Sequence, residues 1–361
     1  MLTSRHHEIL KRVVQVHIED GEPVGSKTVC ERSGLGVSSA TVRNAMMELE
    51  EMGLLTQPHP SAGRVPTDLG LRYYVDSLLE LVSVSSEEQE RILQACGQGN
   101  EELESVLARV SPLLATLTGS ACLVRTPDLR HMLLRRVELI KLASRSGQER
   151  VLALLISTTG QLRSRVIFLQ SALSQEKLNQ FSLFLTRQLE GMTLLEVRER
   201  LQRELEQSEE EYRLLCSQLL ASVSGLSMGG DLIVNGRMNL FQSFAELSRI
   251  REMLAVLEEK KGLLAVLDRC LDLQGVRLFI GSEAEWNQRG CVVVAAPFQS
   301  GEGSYPGTLG VLGPTRMDYA HVIPLIGFTT QVLSTLFAEG VPTGAAQGMV
   351  VNRFDAGEDG E

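Results

Sequence analysis

Residues 37–67 read VSSATVRNAMMELEEMGLLTQPHPSAGRVPT, and this stretch decides the expected fold of the N-terminal region of the chain. Ser38 is a favourable N-cap, because its hydroxyl can accept a hydrogen bond from a free amide of the first helical turn. Gly53 ends the helical pattern, as glycine does after many helices. The stretch therefore predicts a short amphipathic helix followed by a Pro- and Gly-rich loop. Its expected inner face consists of Val42, Ala45, Met46 and Leu49.

The opposite side of this predicted helix carries side chains that suit contact with DNA bases. Arginine can bond guanine through two hydrogen bonds, and asparagine can do the same with adenine. Alanine or a threonine methyl group can touch the methyl group of thymine. The alternative interpretation is an ordinary packed helix with a solvated arginine. The residues that we expect to face DNA are Ser39, Ala40, Thr41, Arg43 and Asn44.

The segment before this helix fits a helix-turn-helix. Ser26 is predicted to cap a helix over Lys27–Arg32, and the turn Ser-Gly-Leu-Gly at 33–36 joins the two helices. We expect Ser26 and Lys27 to hold phosphates of the DNA backbone. An earlier amphipathic helix is indicated by Ile9, Leu10, Val13 and Val16.

The segment after the helix is typical of a wing. Residues 54–57 predict a strand, and residues 59–64 read as a loop tip that ends in an arginine. We expect His59 and Arg64 to lie near the DNA backbone or the minor groove. Each piece alone also occurs in proteins that do not bind DNA, but their order and spacing together favour a winged helix-turn-helix.

The charge of this region does not by itself indicate DNA binding. Residues 1–75 carry 8 Lys and Arg residues against 9 Asp and Glu residues, so the region is nearly neutral. Many DNA-binding domains are strongly basic. Binding would therefore depend on an uneven distribution of charge, on dimerisation, or on both.

Three stretches resemble the HrcA family of heat-inducible transcription repressors. Residues 22–76 contain EPVGSKT and GLGVSSATVRNAMMELEEMGLLTQPHPSAGRVPTDLGLRYYVD, residues 233–241 read IVNGRMNLF, and residues 307–319 read GTLGVLGPTRMDY. Three positions depart from the family pattern without touching the expected DNA-facing residues, namely Ala45, Leu71 and Ile233.

The resemblance implies a function and a set of partners. It implies a dimeric repressor that binds the inverted repeat called CIRCE upstream of chaperone genes. It also implies that the active repressor depends on the chaperonin GroEL, so that unfolded protein lifts repression by occupying GroEL. A two-fold protein matches a palindromic site, because each subunit contacts one half-site.

The chain of 361 residues is long enough for several domains. Strand-like segments occur at 121–125, 132–142, 151–157, 162–169, 276–281, 291–297 and 308–312, and helical segments at 174–189 and 321–337. We expect an α+β multidomain fold, and the resemblance implies a GAF-like domain split by an inserted dimerising domain. The expected units are a winged helix domain with its connector helix (1–82), a linker (83–104), a first GAF-like segment (105–189), an inserted dimerising domain (190–274), a second GAF-like segment (275–340) and a disordered acidic tail (341–361).

Composition and motifs exclude several classes of function. The net charge of −10 argues against nonspecific nucleic-acid binding by the whole chain. The six cysteines are widely spaced without a CxxC pair, so reduced buried thiols are expected rather than a metal site. We find no signal peptide, no membrane-spanning run, no cofactor motif and no catalytic constellation, and expect a cytoplasmic protein. Arg316, Asp318 and Tyr319 are interpreted as a structural cluster.

Two other functions remain open at this point. The GAF-like body could bind a metabolite that sets the DNA affinity, which requires an enclosed pocket with convergent polar groups. The chain could instead be an enzyme with a DNA-binding head, which requires a catalytic constellation within residues 105–340. A transcriptional repressor is the favoured hypothesis.

Overall fold

The computed structural model describes residues 2–34, 36–97, 101, 103–127, 133–145, 148–158, 162–169, 173–207, 217, 230–240, 247–271, 273–283, 290–299 and 306–339. The disordered tail expected at 341–361 lies outside these residues, as do parts of the inserted domain expected at 190–274.

The N-terminal region, residues 2–78, is called the head. Apolar residues of the first and third helices fill its interior, as their spacing predicted, and Ile9, Val13, Val42 and Leu49 are fully buried. The elements of the head are α1 (Ser4–Asp20), α2 (Ser26–Ser33), α3 (Ser39–Glu51), β1 (Leu55–Thr56), β2 (Val65–Pro66), α4 (Asp68–Tyr73) and a π-helical turn (Tyr74–Leu78).

Two predictions about helix ends in the head have different outcomes. Ser38 is the N-cap of α3, and its hydroxyl accepts a hydrogen bond from the Thr41 amide. The predicted cap at Ser26 is wrong, because α2 already begins at Ser26 and its N-cap is Gly25, which has no side chain to accept a bond. The Ser26 hydroxyl instead pairs with the Ser39 hydroxyl at 3.2 Å.

The connector helix after the head is shorter than expected, whereas a helix expected near 87–95 within the linker is present. The helix that starts at Thr67 ends at Leu78, and the next residues are extended, so that the Val82 amide donates to the Ala320 carbonyl. Within the expected linker, α5 (Ser86–Cys96) begins at a capping box formed by Ser85 and Glu88. The segment 83–104 therefore contains a packed helix.

The body is built on an antiparallel five-stranded sheet with the order β7-β3-β10-β9-β8. Alternate residues of its strands face α6 and α11 on one side and α9 and α10 on the other, so both faces are covered. The elements of the body are α6 (Leu103–Thr118), β3 (Ala121–Arg125), β7 (Leu232–Asn235), α9 (Leu247–Glu258), α10 (Lys260–Asp268), β8 (Arg277–Ile280), a 3-10 turn (Gly281–Glu283), β9 (Cys291–Phe298), β10 (Gly307–Pro314) and α11 (Tyr319–Glu339).

A separate unit, residues 134–207, lies in sequence between β3 and β7 of the body. Its antiparallel sheet β4-β5-β6 packs against α7 and α8 around a core of its own. The expected border at 189–190 falls inside this three-stranded unit, because Val197 and Leu201 of α8 share the core with Leu185 and Leu189 of α7. Its elements are β4 (Leu134–Arg145), β5 (Gln148–Ser157), β6 (Leu162–Leu169), α7 (Gln175–Leu189) and α8 (Leu194–Gln207).

Helix α7 covers the free edge of β4. An uncovered edge strand presents unpaired amides and carbonyls that invite pairing with another chain. Here side chains of α7 satisfy these groups in place of a neighbouring strand. The pairs are the Val137 amide with Thr186 Oγ1 (3.1 Å), the Leu139 amide with Ser182 Oγ (3.0 Å) and the Lys141 amide with Gln175 Oε1 (2.7 Å).

Head and body share one continuous cluster of buried residues. It runs from α1 and α3 through α5 and α6 to the sheet and α11. By length and composition alone, the segment Tyr319–Phe337 of α11 is apolar enough to cross a membrane, but most of it is buried in this cluster, as in the core helix of a globular protein.

Candidate nucleic-acid interface

Helix α3 is called the reader helix from here on. Its N-terminal end is capped by Ser38. The Ser38 hydroxyl accepts from the Thr41 amide at 3.2 Å and lies 2.9 Å from the Thr41 hydroxyl. The cap fixes the first turn while leaving its other amides at the positive end of the helix dipole. Such an end favours a phosphate.

The outward side of the reader helix carries the predicted contact residues. Ala40, Arg43 and Asn44 are exposed, and Thr41 is half-buried beside the cap. Ser39 is half-buried against Ser26 of α2, and this contact joins the starts of the two helices. Three of the five predicted groove-facing residues are thus exposed, and Ser39 and Thr41 are half-buried and make hydrogen bonds within the head.

Internal contacts within the head occupy several of its acidic side chains. A ring nitrogen of His6 lies 2.9 Å from the Glu48 carboxylate, and Arg32 pairs with both Glu19 and Asp20 at 3.2 Å. Arg43, by contrast, makes no ion pair with any residue of the described chain. Its guanidinium group is therefore available to an external acceptor.

Lys27 also lies on the outer surface. It occupies the first turn of α2, with 86% of its side chain exposed, and its only ion pair among the described residues is a loose contact of 3.9 Å with Glu31. An exposed pair of this kind is weak and easily exchanged for another anion. Lys27 is therefore free to reach a phosphate near the start of α2.

The wing has a different internal construction from the one expected. The Gln57 side-chain amide donates to the carbonyls of Pro60 (3.0 Å) and Ala62 (2.8 Å), which closes the loop over itself. His59 is exposed at the tip, as predicted. Sequence analysis missed Gln57, although an amide side chain at the base of a Pro-rich loop is a usable signal for such closure.

Arg64 does not lie at the tip of the wing. Its backbone pairs with Val24, and its Nε donates to the carboxylate of Glu50 at 2.9 Å. Only 13% of the Arg64 side chain is exposed. The structure thus joins the base of the wing to the C-terminal half of the reader helix through Arg64. The Arg64 side chain therefore binds Glu50 and not the phosphate that we expected. Sequence analysis could not predict this pair, because Glu50 lies on another element.

The remaining candidate residues are structural in character. Tyr319 is fully buried, and its hydroxyl donates to the Thr315 carbonyl at 2.6 Å. Burial raises the pKa values of the Cys96 and Cys270 thiols to about 12, which suits inert core thiols. Among the described residues, no group of histidine, cysteine and acidic side chains could hold a metal ion.

Comparison with known proteins places this interface in a family. The model for the HrcA DNA-binding winged helix-turn-helix matches residues 1–74, and the model for the HrcA protein C-terminal domain matches residues 104–323. A crystallised hypothetical protein shares the fold at a TM-score of 0.63 and 24% identity, covering 94% of this chain and 100% of its own.

Relatives named heat-inducible transcription repressor HrcA match nearly the whole chain. The protein from Geobacter sulfurreducens is 37% identical, with 93% of this chain and 98% of the relative covered. The protein from Syntrophobacter fumaroxidans is 35% identical, with 94% and 98% covered. The chain therefore belongs to the HrcA family of heat-inducible transcription repressors.

Proposed function

We propose that this protein represses class I heat-shock chaperone operons by binding the CIRCE inverted repeat as a homodimer, in a manner that depends on GroEL. The family supports a repressor with a DNA-binding winged helix. The operator, the dimer and the chaperonin dependence go beyond that support and belong to the proposal.

The observation that carries the proposal is the exposed Arg43 on the reader helix, which lies beside Asn44 and makes no ion pair among the described residues. Arg43 would bond a guanine and Asn44 an adenine in the major groove. Ala40 and Thr41 would contact thymine methyl groups or the sugar edge, and Lys27 would bind a phosphate. Ser26 and Ser39 would fix the helix angle, and His59 would lie near the backbone at the wing tip.

The proposed dimer rests on the outer face of the three-stranded unit. Ile140 of β4 and Val166 of β6 flank Leu152 of β5 in one cross-strand row. Ile140 is 39% exposed, Val166 38% and Phe168 54%. An apolar sheet face of this kind is typical of a protein interface. Two such faces packed across a two-fold axis would give the symmetric dimer that an inverted repeat requires.

We also propose a revised domain division. The five-stranded sheet and its helices would be the GAF-like domain, interrupted by the three-stranded unit at 134–207 as the dimerising insertion. This division follows the separate cores of the two sheets. The protein would act in the cytoplasm, where operator DNA and the chaperonin are found.

A metabolite-sensing role has little support from the described residues. A cavity of about 240 Å³ lies between the end of α1 and the turn at 314–318, lined in part by Ile18, Thr118, Arg316 and Asp318. It is open and small for a typical cofactor or drug-sized ligand, and a second cavity of about 370 Å³ between β4 and α7 is also open to solvent. The repressor proposal does not require a small-molecule effector.

The proposed function is tested by fluorescence anisotropy of the purified protein on a CIRCE duplex. The control is the same duplex with one half-site scrambled, at one fixed physiological salt concentration. Tight binding that is lost on scrambling supports the two-half-site dimer. Equally weak binding to both duplexes, unchanged when GroEL is added to the cuvette, contradicts the operator assignment. Tight binding that appears only with GroEL supports the chaperonin dependence.

A further inference from the structure

Helix α4 joins the head to the far end of the body's sheet. The Arg72 Nε donates to Glu283 Oε1 at 2.9 Å, and its Nη2 donates to the Leu278 carbonyl at 2.8 Å and also contacts Glu283 Oε2. Glu283 in turn accepts from the Ile280 amide at 2.9 Å. One arginine fork thus holds both a strand carbonyl and the carboxylate that closes the following turn.

The turn at 281–283 is shaped to fit the start of α4. The Asp68 carboxylate accepts from the Ser282 amide at 3.3 Å. Gly281 has φ +51°, and a Cβ atom at this position would lie 2.0 Å from Asp68 Oδ2. The positive φ favours glycine, and a Cβ atom here would displace the Asp68 carboxylate from its present position. Asp68 and the turn are therefore in direct contact, through one hydrogen bond and the space that the missing Gly281 side chain leaves.

The other side of α4 is fixed to the end of the reader helix. The Thr67 hydroxyl donates to the Gly53 carbonyl at 2.6 Å, and the Thr67 amide donates to the Leu54 carbonyl at 3.1 Å. A Cβ atom at Gly70 would lie 2.0 Å from the Leu54 carbonyl oxygen, so the backbones are in close contact. Gly53 and Leu54 directly follow the reader helix. A continuous chain of contacts therefore leads from Glu283 to that helix.

A second ion pair, between the head and the segment that follows it, offers a matched comparison. Lys11 of α1 binds Glu80 at 2.6 Å, but the Glu80 side chain is 86% exposed. Arg72 and Glu283 are 28% and 35% exposed. Burial would lower the pKa of Arg72, but the hydrogen bonds and charge of Glu283 raise it overall. The Lys11–Glu80 pair involves α1 and not α4, so it is not part of the contacts that lead from Glu283 through α4 to the reader helix.

We propose that Asp68, Arg72 and Glu283 form a clamp through which the body sets the orientation of the reader helix. Arg72 is a positioning residue in this proposal, since it acts through α4. The clamp would fix the separation of the two reader helices in a dimer and hence the half-site spacing that the protein accepts. The spacing role rests on the proposed function, whereas the link between body and reader helix stands independently.

The link is tested by hydrogen exchange of the full-length chain. Glu283→Gln and Arg72→Gln should speed exchange of the amides of residues 49–54 by about five- to tenfold, because the end of the reader helix is released. Arg72→Lys, which keeps the charge but loses the fork, should give a smaller change. The control Glu80→Gln makes the same chemical change off the path and should leave these amides unchanged. Unaltered exchange at 49–54 in both clamp variants overturns the proposal, whatever the operator does.

The spacing role is tested by anisotropy on CIRCE duplexes whose half-sites are moved closer together or further apart. Wild type should prefer the native spacing by about tenfold, and Glu283→Gln should flatten that preference with little change in affinity for a single half-site. A variant that retains the full preference contradicts the spacing role. A wild-type protein that ignores the second half-site contradicts the proposed function, and hydrogen exchange still decides the clamp.

Discussion

The head and the three-stranded unit bury their apolar residues in the same way but leave opposite kinds of surface. In the head, the reader helix turns Val42 and Leu49 inward and leaves Arg43 and Asn44 exposed. In the three-stranded unit, the sheet turns one apolar face toward α7 and α8 and leaves Ile140, among other large apolar residues, on the outer face. The first surface suits a polar, charged partner such as DNA, and the second suits another protein surface.

The largest expected effect tests the apolar half of this comparison. Val166→Lys places a charge in the proposed interface and should convert the dimer to a monomer. Affinity for the full inverted repeat should fall by about 100-fold or more, because the two half-sites are no longer bound together. Sedimentation and anisotropy measure the two effects. The control is Met238→Lys, which changes an exposed residue outside the sheet. A dimeric Val166→Lys protein would place the interface elsewhere.

A smaller effect on stability and association is expected from removing the α7 side chains that accept hydrogen bonds from the edge strand β4. Replacing Ser182 by Ala and Thr186 by Val removes the partners of the Val137 and Leu139 amides. Each unsatisfied amide should cost about 1–3 kcal/mol, and the exposed edge should promote association. Urea unfolding and size-exclusion chromatography report the two effects. Thr116→Val is the control, since that hydroxyl bonds its own helix. Equal stability of the control and the double variant would contradict a covering role for α7.

In the head, Arg64 is expected to have a structural role and Lys27 to bind a DNA phosphate, and their variants should differ accordingly. Arg64→Ala should destabilise the head by about 1–2 kcal/mol, since Glu50 loses its partner, but should leave the salt dependence of operator binding unchanged. Lys27→Ala should lower the salt slope by about one with little effect on stability. Thermal unfolding and a salt titration of operator binding distinguish them. A reduced slope for Arg64→Ala would return Arg64 to the DNA backbone.

The smallest expected effect is a pH dependence confined to the three-stranded unit. Glu196 accepts from the amide and hydroxyl of Thr193 at the start of α8, and these hydrogen bonds lower its pKa below the usual 4.5. The ionised carboxylate therefore stabilises the fold at neutral pH, and this stabilisation is lost as the pH falls through the lowered pKa. Glu196→Gln should lower the Tm slightly at pH 7 and converge with wild type in acid. A difference that persists at low pH would assign the effect to packing.

Local patterns predicted the elements of both regions well, because caps and apolar spacing act over a few residues. Ser38 is an N-cap as expected, and the strands at 121–125 and 162–169 have the predicted bounds. The resemblance of the quoted motifs to HrcA is confirmed by the family models, which match both the head and the C-terminal region.

Pairings between distant elements were not predictable from the same patterns. Nothing near Arg64 indicates that its partner is Glu50 of the reader helix. The apolar run at 151–156 predicts a strand, but it does not indicate which sheet the strand joins. The border was expected at 189–190 because local patterns do not show that α7 and α8 share one core. Long-range packing decides these features.

The central claim is that the exposed end of the reader helix recognises operator bases, and Arg43→Ala tests it most directly. Anisotropy on the CIRCE duplex and on a random duplex of equal length should show a loss of about 1–3 kcal/mol on the operator alone. Arg91→Ala, which removes an exposed arginine from α5, should change neither. An equal loss on both duplexes would show that Arg43 contacts phosphate, and no loss on either would contradict its place in the interface.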